Sequence, residues 1–321
     1  MKQKIWVTGV SSFVGAALAG FWKKKGHEVI GLHSRPVHAY EGIQRKRLDS
    51  LVNKGVRLEK LDVRDPSAIK RSIREFSPTV AVYHAGWVER YAGWDYDFDR
   101  GYAINVAPLG VLVETLREVR ARGLLATGSA AEYPDGDAAH KESTKGIPST
   151  PYGLSKLMET SRLEQLAHHH NVRIRVARLF IPFGLGDTPS KVIPSVVGRL
   201  IKGEPIDLSP CLQRRDFLFV DDLLAGYDRL LLNLEEEERF EIYNLCGGKA
   251  IRLRQVLEKL ANHLGAERNL LRFGAIPLRA GEPEICYGSR RKAFQNLGWT
   301  PRPWSEGIKA YAESVLKGVQ P

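Results

Sequence analysis

Lys4-Ile5-Trp6-Val7-Thr8-Gly9-Val10-Ser11-Ser12-Phe13-Val14-Gly15 decides how the rest of the chain is read. Its first five residues are a short apolar run, and a turn of small residues follows. A helical pattern then covers residues 14–25. A strand that turns through glycine into a helix aims the first N–H groups of that helix at the strand end, a place suited to a pyrophosphate. Gly9 permits the tight turn, and Gly15 permits close contact between helix and strand. Ser12 stands where a dinucleotide turn usually has glycine, so the fingerprint is imperfect; serine is small and can donate a hydrogen bond or cap the helix.

The same stretch has a second reading. Lys2 and Lys4 flank an uncharged run over residues 5–22 that ends near Ala17-Leu18-Ala19, before Lys23-Lys24-Lys25. Those flanks suit a signal peptide or a short membrane span. Thr8, Gly9, Ser11, Ser12 and Gly15 break the run where it should be continuous, so strand, turn and helix fit better. No other segment is apolar for long enough to span a membrane.

Working outward, strands are expected at 28–32, 57–61, 80–84, 124–128 and 172–180. Helices are expected at 66–75, 104–120 and 152–168, with Pro108 disturbing the second or marking its start. Strands separated by helices imply a doubly wound α/β fold with a parallel sheet, a Rossmann domain. Residues 1–178 are assigned to this dinucleotide-binding domain, with a return at about 216–245. Residues 179–321 are expected to form mainly a smaller α+β substrate domain over the carboxyl ends of the strands, with helices near 254–264 and 304–316.

The composition fits this. The 321 residues carry 48 Lys+Arg against 37 Asp+Glu, a net charge of +11, with 43% hydrophobic and 26% charged residues. These are globular values that exclude a disordered or collagen-like chain. Cys211, Cys246 and Cys286 are too few and too scattered for a disulfide scaffold or a cysteine-based zinc site, which predicts a reducing, cytoplasmic setting. A basic chain suggests an acidic partner. No nucleic-acid module or basic–aromatic stripe is present, so small phosphorylated ligands fit better than nucleic acid. His168-His169-His170 reads as an exposed helix end and Glu235–Glu238 as a surface corner, so no metal site is expected.

The expected second strand runs into Gly31-Leu32-His33-Ser34-Arg35. A carboxylate there would bind an adenosine ribose and favour NAD, whereas arginine beside a hydroxyl suits a 2′-phosphate. NADP(H) is therefore preferred over NAD(H). Further on, Tyr152-Gly153-Leu154-Ser155-Lys156 sets a phenol and an ammonium four residues apart on one helix face. The ammonium favours the ionised phenol, which otherwise has a pKa near 10. The preceding expected strand ends in Thr127-Gly128-Ser129.

Together with Leu61-Asp62-Val63, His84-Ala85-Gly86, Asn105-Val106, Ser129 to Tyr133, Arg178-Leu179-Phe180, Gln213 to Phe217, Val220-Asp221-Asp222, Tyr243-Asn244-Leu245, Gly281-Glu282 and Leu297-Gly298-Trp299, these segments make the chain resemble an extended short-chain dehydrogenase/reductase. The resemblance runs nearly end to end and points to the sugar-nucleotide epimerase, dehydratase and reductase group. It implies that Tyr152 is the acid–base, that Lys156 holds the nicotinamide ribose and lowers the tyrosine pKa, and that Ser129 bonds the reacting oxygen. It places the cofactor against Thr8, Gly9, Ser11, Ser12, Phe13, Val14 and Gly15, and against His33, Ser34 and Arg35. Asp62 and Val63 would bracket the adenine, with Ala85 and Gly86 on the ribose side. His84, Asn105 and Leu179 complete that set, although His84 reads equally as a packed strand-end residue. Substrate contacts are expected from Trp87, Ser129, Val192, Gln213, Arg215 and Arg279, with the two arginines clamping a diphosphate.

Departures from the family pattern narrow the reaction. Dehydratases of the group carry an Asp-Glu pair directly after the Ser/Thr position. Here Ala130 and Ala131 occupy those places and Glu132 comes one step late, so no acid–base pair for elimination is expected. Ile181 replaces an asparagine that many members direct at substrate, and Ala280 replaces a proline beside Arg279. The basic end of the second strand favours an NADPH-dependent 4-ketoreductase acting on a nucleotide-diphosphate keto sugar. An NAD-dependent 4-epimerase is the alternative, and a non-catalytic nucleotide-binding scaffold is the reading from another class. The resemblance further implies a homodimer.

Overall fold

The computed structural model describes residues 2–278 and 283–318, so Arg279, the second arginine of the expected diphosphate clamp, lies outside the described residues. The opening stretch folds as strand β1 (Lys4–Thr8), a turn and helix α1 (Phe13–Lys24). Then come β2 (Glu28–His33), α2 (Gly42–Asn53), β3 (Arg57–Lys60), α3 (Pro66–Phe76) and β4 (Val80–Tyr83). They are followed by α4 (Phe98–Asn105), α5 (Leu109–Glu118), β5 (Gly123–Ser129), α6 (Pro151–His170) and β6 (Arg173–Leu179). The chain then leaves the sheet and returns through helix Val220–Asn233 and strand Phe240–Leu245, which pairs parallel with β6.

The seven-stranded sheet is parallel throughout and reads Phe240–Leu245, β6, β5, β4, β1, β2, β3. Its order reverses between β1 and β4, and the crevice beyond their carboxyl ends is where such sheets bind ligands. Alternation along each strand feeds two cores. Ile5 and Val7 face one packed by α1 and Val220–Asn233, while Trp6 faces another packed by α3, α5 and α6. Burial on both faces explains why the strands read as continuous apolar runs.

The expected long helix at 104–120 is two helices. Pro108 has no N–H to donate, ends the first segment's ladder and caps α5, so its role as a start is the correct one. Helix α2 and helix α4 were not anticipated. Only Arg47, Leu48 and Leu51 of α2 are buried, so it lacks a strong apolar stripe.

Beyond β6 the elements are short. Ile181–Phe183 pairs with Phe217–Phe219, and Arg214–Arg215 lies between Ile251–Arg252 and Ile285–Cys286. A buried charge marks the seam with the sheet. Arg175 in β6 is 0% exposed, and its guanidinium donates to the Asn233 side chain and to the carbonyls of Asn233 and Glu238. No described helix is long and apolar enough to cross a membrane.

The turn after β1 depends on two glycines. Gly9 has φ +72°, a left-handed conformation that disfavours a Cβ. Gly15 is held by proximity, since a Cβ there would lie 2.3 Å from the Gly9 carbonyl oxygen. Alanine normally exceeds glycine in a helix by about 1 kcal/mol. At Gly15 the sign should reverse: Gly15→Ala should lose about 2 kcal/mol or more through overpacking, read as a fall in Tm of several degrees.

Candidate active site

The crevice begins with a tack between strands. Thr8, 1% exposed, accepts the N–H groups of His84 and Ala85 at 2.9 Å each, so its hydroxyl serves the backbone instead of a ligand. A Cβ on Gly9 would meet the His84 backbone at 3.1 Å, which shows how closely the turn lies over the end of β4. Ser12, the departure from the glycine pattern, caps α1 by accepting the Gly15 N–H at 3.1 Å. Its φ of −81° is ordinary for any residue, which removes the need for glycine.

Ser12 is also the outer end of a buried polar chain. His84 Nε2 lies 3.0 Å from Ser12 Oγ, His84 Nδ1 lies 2.8 Å from Thr127 Oγ1, and the Tyr227 hydroxyl closes on the same Thr127 oxygen at 2.6 Å. Burial, with the Lys156 ammonium nearby, pushes the His84 pKa down to about 3, so the ring is neutral and relays hydrogen bonds. The structure therefore gives His84 a packed, bracing place under the turn.

At the end of β2 the three expected cofactor residues separate. His33 is 4% exposed and turned inward, its Nδ1–H donating to the Arg35 carbonyl at 2.6 Å. Ser34 and Arg35 are exposed. The Arg35 guanidinium lies over the Tyr40 ring, 4.4 Å from its centroid, and donates to Gln44 at 3.1 Å. Tyr40 itself accepts the Arg35 N–H at 3.2 Å and lies near the Ser11 hydroxyl, which brings the strand end up to the turn after β1. Buried Arg47 does the same from α2, donating to the carbonyls of Ser11 at 3.0 Å and Gly186 at 2.9 Å and to the Thr188 hydroxyl at 3.2 Å.

Farther along the crevice, the Asp62 carboxylate is engaged by Arg64, which holds its pKa below the usual value, and Val63 is buried beside it. Ala85 and Gly86 follow β4, and Asn105, 0% exposed, accepts the Trp87 N–H at 3.0 Å and donates to Ser155 Oγ at 3.0 Å. Phe13 and Val14 are buried at the start of α1, and Leu179 ends β6. Asn105 thus shapes the Gly86–Trp87 bend from within.

Helix α6 starts at Thr150, whose hydroxyl accepts the Gly153 N–H, with Pro151 at its first position. This start places Tyr152 in the first turn and Lys156 one turn on. The Ser129 hydroxyl is near enough to the Tyr152 phenol to act on its ionisation, and Lys156 Nζ donates to the Thr127 carbonyl at 2.7 Å. Burial pushes the Tyr152 phenol above its usual value, and the nearby Ser129 hydroxyl draws it back. Tyr91 and Tyr96, unassigned from sequence, set their rings edge-on to Tyr152, each 5.7 Å between centroids.

Glu132 is tied into the structure at the end of β5. It is 2% exposed, and it accepts the Ser129 N–H at 2.7 Å, the Thr160 hydroxyl at 2.8 Å and Arg178 Nε at 2.8 Å. These bonds hold the strand end that carries Ser129. On the other side of the crevice, Val192 opens helix Val192–Leu200 and Gln213 is buried. Arg215 is partly exposed and donates to the carbonyls of Arg214 and Glu284. Asp216 beside it accepts the N–H groups of Gly247, Gly248 and Gly288, which fixes the strand carrying Arg215. Among the described residues no group of three or more His, Cys, Asp or Glu could hold a metal ion.

The site is a crevice at the carboxyl ends of the strands, with a serine, a tyrosine and a lysine at its inner end. The tight turn that Gly9 and Gly15 permit sets the N-terminus of α1 at the carboxyl end of β1, an arrangement that suits a dinucleotide. GDP-6-deoxy-D-mannose reductase of Pseudomonas aeruginosa is 26% identical over 316 residues, covering 94% of this chain and 93% of that protein. Human UDP-glucose 4-epimerase is 23% identical over 329 residues, covering 94% and 92%. The fold matches a UDP-glucuronic acid 4-epimerase variant from Bacillus cereus with a TM-score of 0.84 at 19% identity, covering 98% of this chain and 99% of that one. Residues 5–246 match the NAD dependent epimerase/dehydratase family, and with three quarters of its length under that match the chain belongs to that family.

Proposed function

We propose that the protein reduces a nucleotide-diphosphate 4-keto sugar with NADPH. The observation that carries this reading is the end of β2, where an exposed arginine stacked on Tyr40 stands in place of a ribose-binding carboxylate. A guanidinium beside the Ser34 hydroxyl suits the 2′-phosphate that distinguishes NADPH. Biosynthetic reduction commonly draws on that cofactor. Elimination is disfavoured, because Ala130 and Ala131 carry no acid–base and Glu132 is committed to Arg178.

When bound, the nicotinamide supplies the hydride for the carbonyl carbon. The chain's own residues do the rest. Gly9 to Gly15 and Arg35 hold the dinucleotide, while Lys156 holds its inner ribose. Arg215, with Arg279, binds the substrate diphosphate through forked N–H groups. Ser129 steadies the carbonyl oxygen, and Tyr152 delivers a proton to it. The raised pKa of Tyr152 keeps the phenol protonated near neutral pH, the state a proton donor needs.

A panel of nucleotide 4-keto sugars with NADPH or NADH tests the reading. Stoichiometric cofactor oxidation is expected, whereas sugar product without net oxidation identifies a 4-epimerase instead. Tyr152→Phe should lower turnover by about 10²–10⁴-fold while leaving nucleotide affinity, measured by calorimetry, nearly unchanged. Arg35→Ala should weaken NADPH by about tenfold or more and NADH much less; equal losses would remove the 2′-phosphate role.

A further inference from the structure

One buried carboxylate at the catalytic helix has no part in the reaction just described. Glu159 is 2% exposed and lies one turn beyond Lys156 on α6. Its carboxylate pairs directly with the Lys156 ammonium. The same ammonium donates to the Thr127 carbonyl, so two of its three protons are directed at protein acceptors and one is left for a ligand hydroxyl.

The groups facing this pair come from every element packed around it. Tyr83 and His84 approach from β4, with Asp62 acting on Tyr83 from the turn after β3. Tyr96 comes from the segment before α4, and Tyr227 from helix Val220–Asn233. Glu132 follows β5 and is engaged by Arg178 of β6. Tyr152 shares the helix. In this described set His84 is neutral and Arg178 is bound to Glu132; Lys156 lies one turn from Tyr152 on the same helix, and the Glu159 carboxylate raises the pKa of the phenol.

An uncompensated ammonium beside a phenol favours the phenolate, the form that removes a proton from an alcohol. A carboxylate on that ammonium offsets the effect and favours the protonated phenol, the form that delivers a proton to a ketone. We infer that Glu159 is a positioning residue that aims the Lys156 ammonium and offsets its charge, setting the Tyr152–Lys156 pair for proton delivery. This rests on the ketoreductase reading for its direction of use, but the effect on Tyr152 is a property of the protein alone.

The test is a titration of Tyr152 by ultraviolet difference absorbance, taken against the matching Tyr152→Phe protein and without substrate. In Glu159→Gln the phenol should ionise about one pH unit lower than in the wild type. The alkaline limb of the reduction profile should move down by the same amount, because turnover needs the protonated phenol. Glu159→Asp should restore most of the shift. Lys156→Met/Glu159→Gln, which removes both buried charges and guards against unfolding, should return the phenol to a higher pKa than Glu159→Gln alone.

An unchanged Tyr152 titration in folded Glu159→Gln overturns the inference, as does a pH-independent loss of rate with no movement of the limb. If no 4-keto sugar is reduced by the wild type yet the titration shifts, the ketoreductase reading fails while the role of Glu159 stands.

Discussion

Where β1 and β4 end side by side, the backbone at Gly9 passes within contact distance of His84 and Ala85, and the Thr8 hydroxyl locks that approach from below. The closeness fixes the angle at which α1 leaves the sheet, and so the direction of its first N–H groups. It also sets His84 under Ser12 and against Thr127, which links the dinucleotide turn to the strand that carries Ser129. The two ends of the crevice are therefore held in one hydrogen-bonded frame. Serine succeeds at position 12 because it closes that frame while meeting the capping need of the helix.

Two buried ion pairs stand a short way below the frame, and they divide the work. Glu132 and Arg178 brace the end of β5, where Ser129 sits. Lys156 and Glu159 pair farther along α6, the helix that carries Tyr152 in its first turn. Burying ions is costly unless each is paired and its remaining hydrogen-bonding sites are filled. Glu132 meets that demand with bonds to Ser129, Thr160 and Arg178, which commits its carboxylate to holding the end of β5.

The sheet was legible because its strands are buried on both faces and read as apolar runs, and because Gly9 and Gly26 mark where elements stop. The spacing of Tyr152 and Lys156 on one helix face was visible in the sequence, but it was the resemblance that joined them to Ser129 at the end of the preceding strand. Other features had no such local signal. Helix α2 turns its charged residues outward and buries Arg47, which no apolar period reveals. Tyr40, Tyr96 and Tyr227 reach the crevice through contacts between distant segments, so no spacing within their own elements announces them. Glu159 did carry a signal, an acid three residues after the lysine on the same helix face, but only burial shows that the pair is more than a solvated surface contact.

Strand Phe240–Leu245 covers the outer edge of β6 only after the chain has made an excursion of some sixty residues. During synthesis, β6 therefore waits as a bare edge, the kind of surface on which nascent chains pair wrongly. Arg175 lies on that strand, and its guanidinium is satisfied by Asn233 and by the Glu238 carbonyl, both in the returning segment. Until that segment arrives the arginine keeps its water and its charge, and discourages a foreign strand from docking. The charge buried in the finished core is, on the unfinished sheet, a solvated charge beside an unpaired edge.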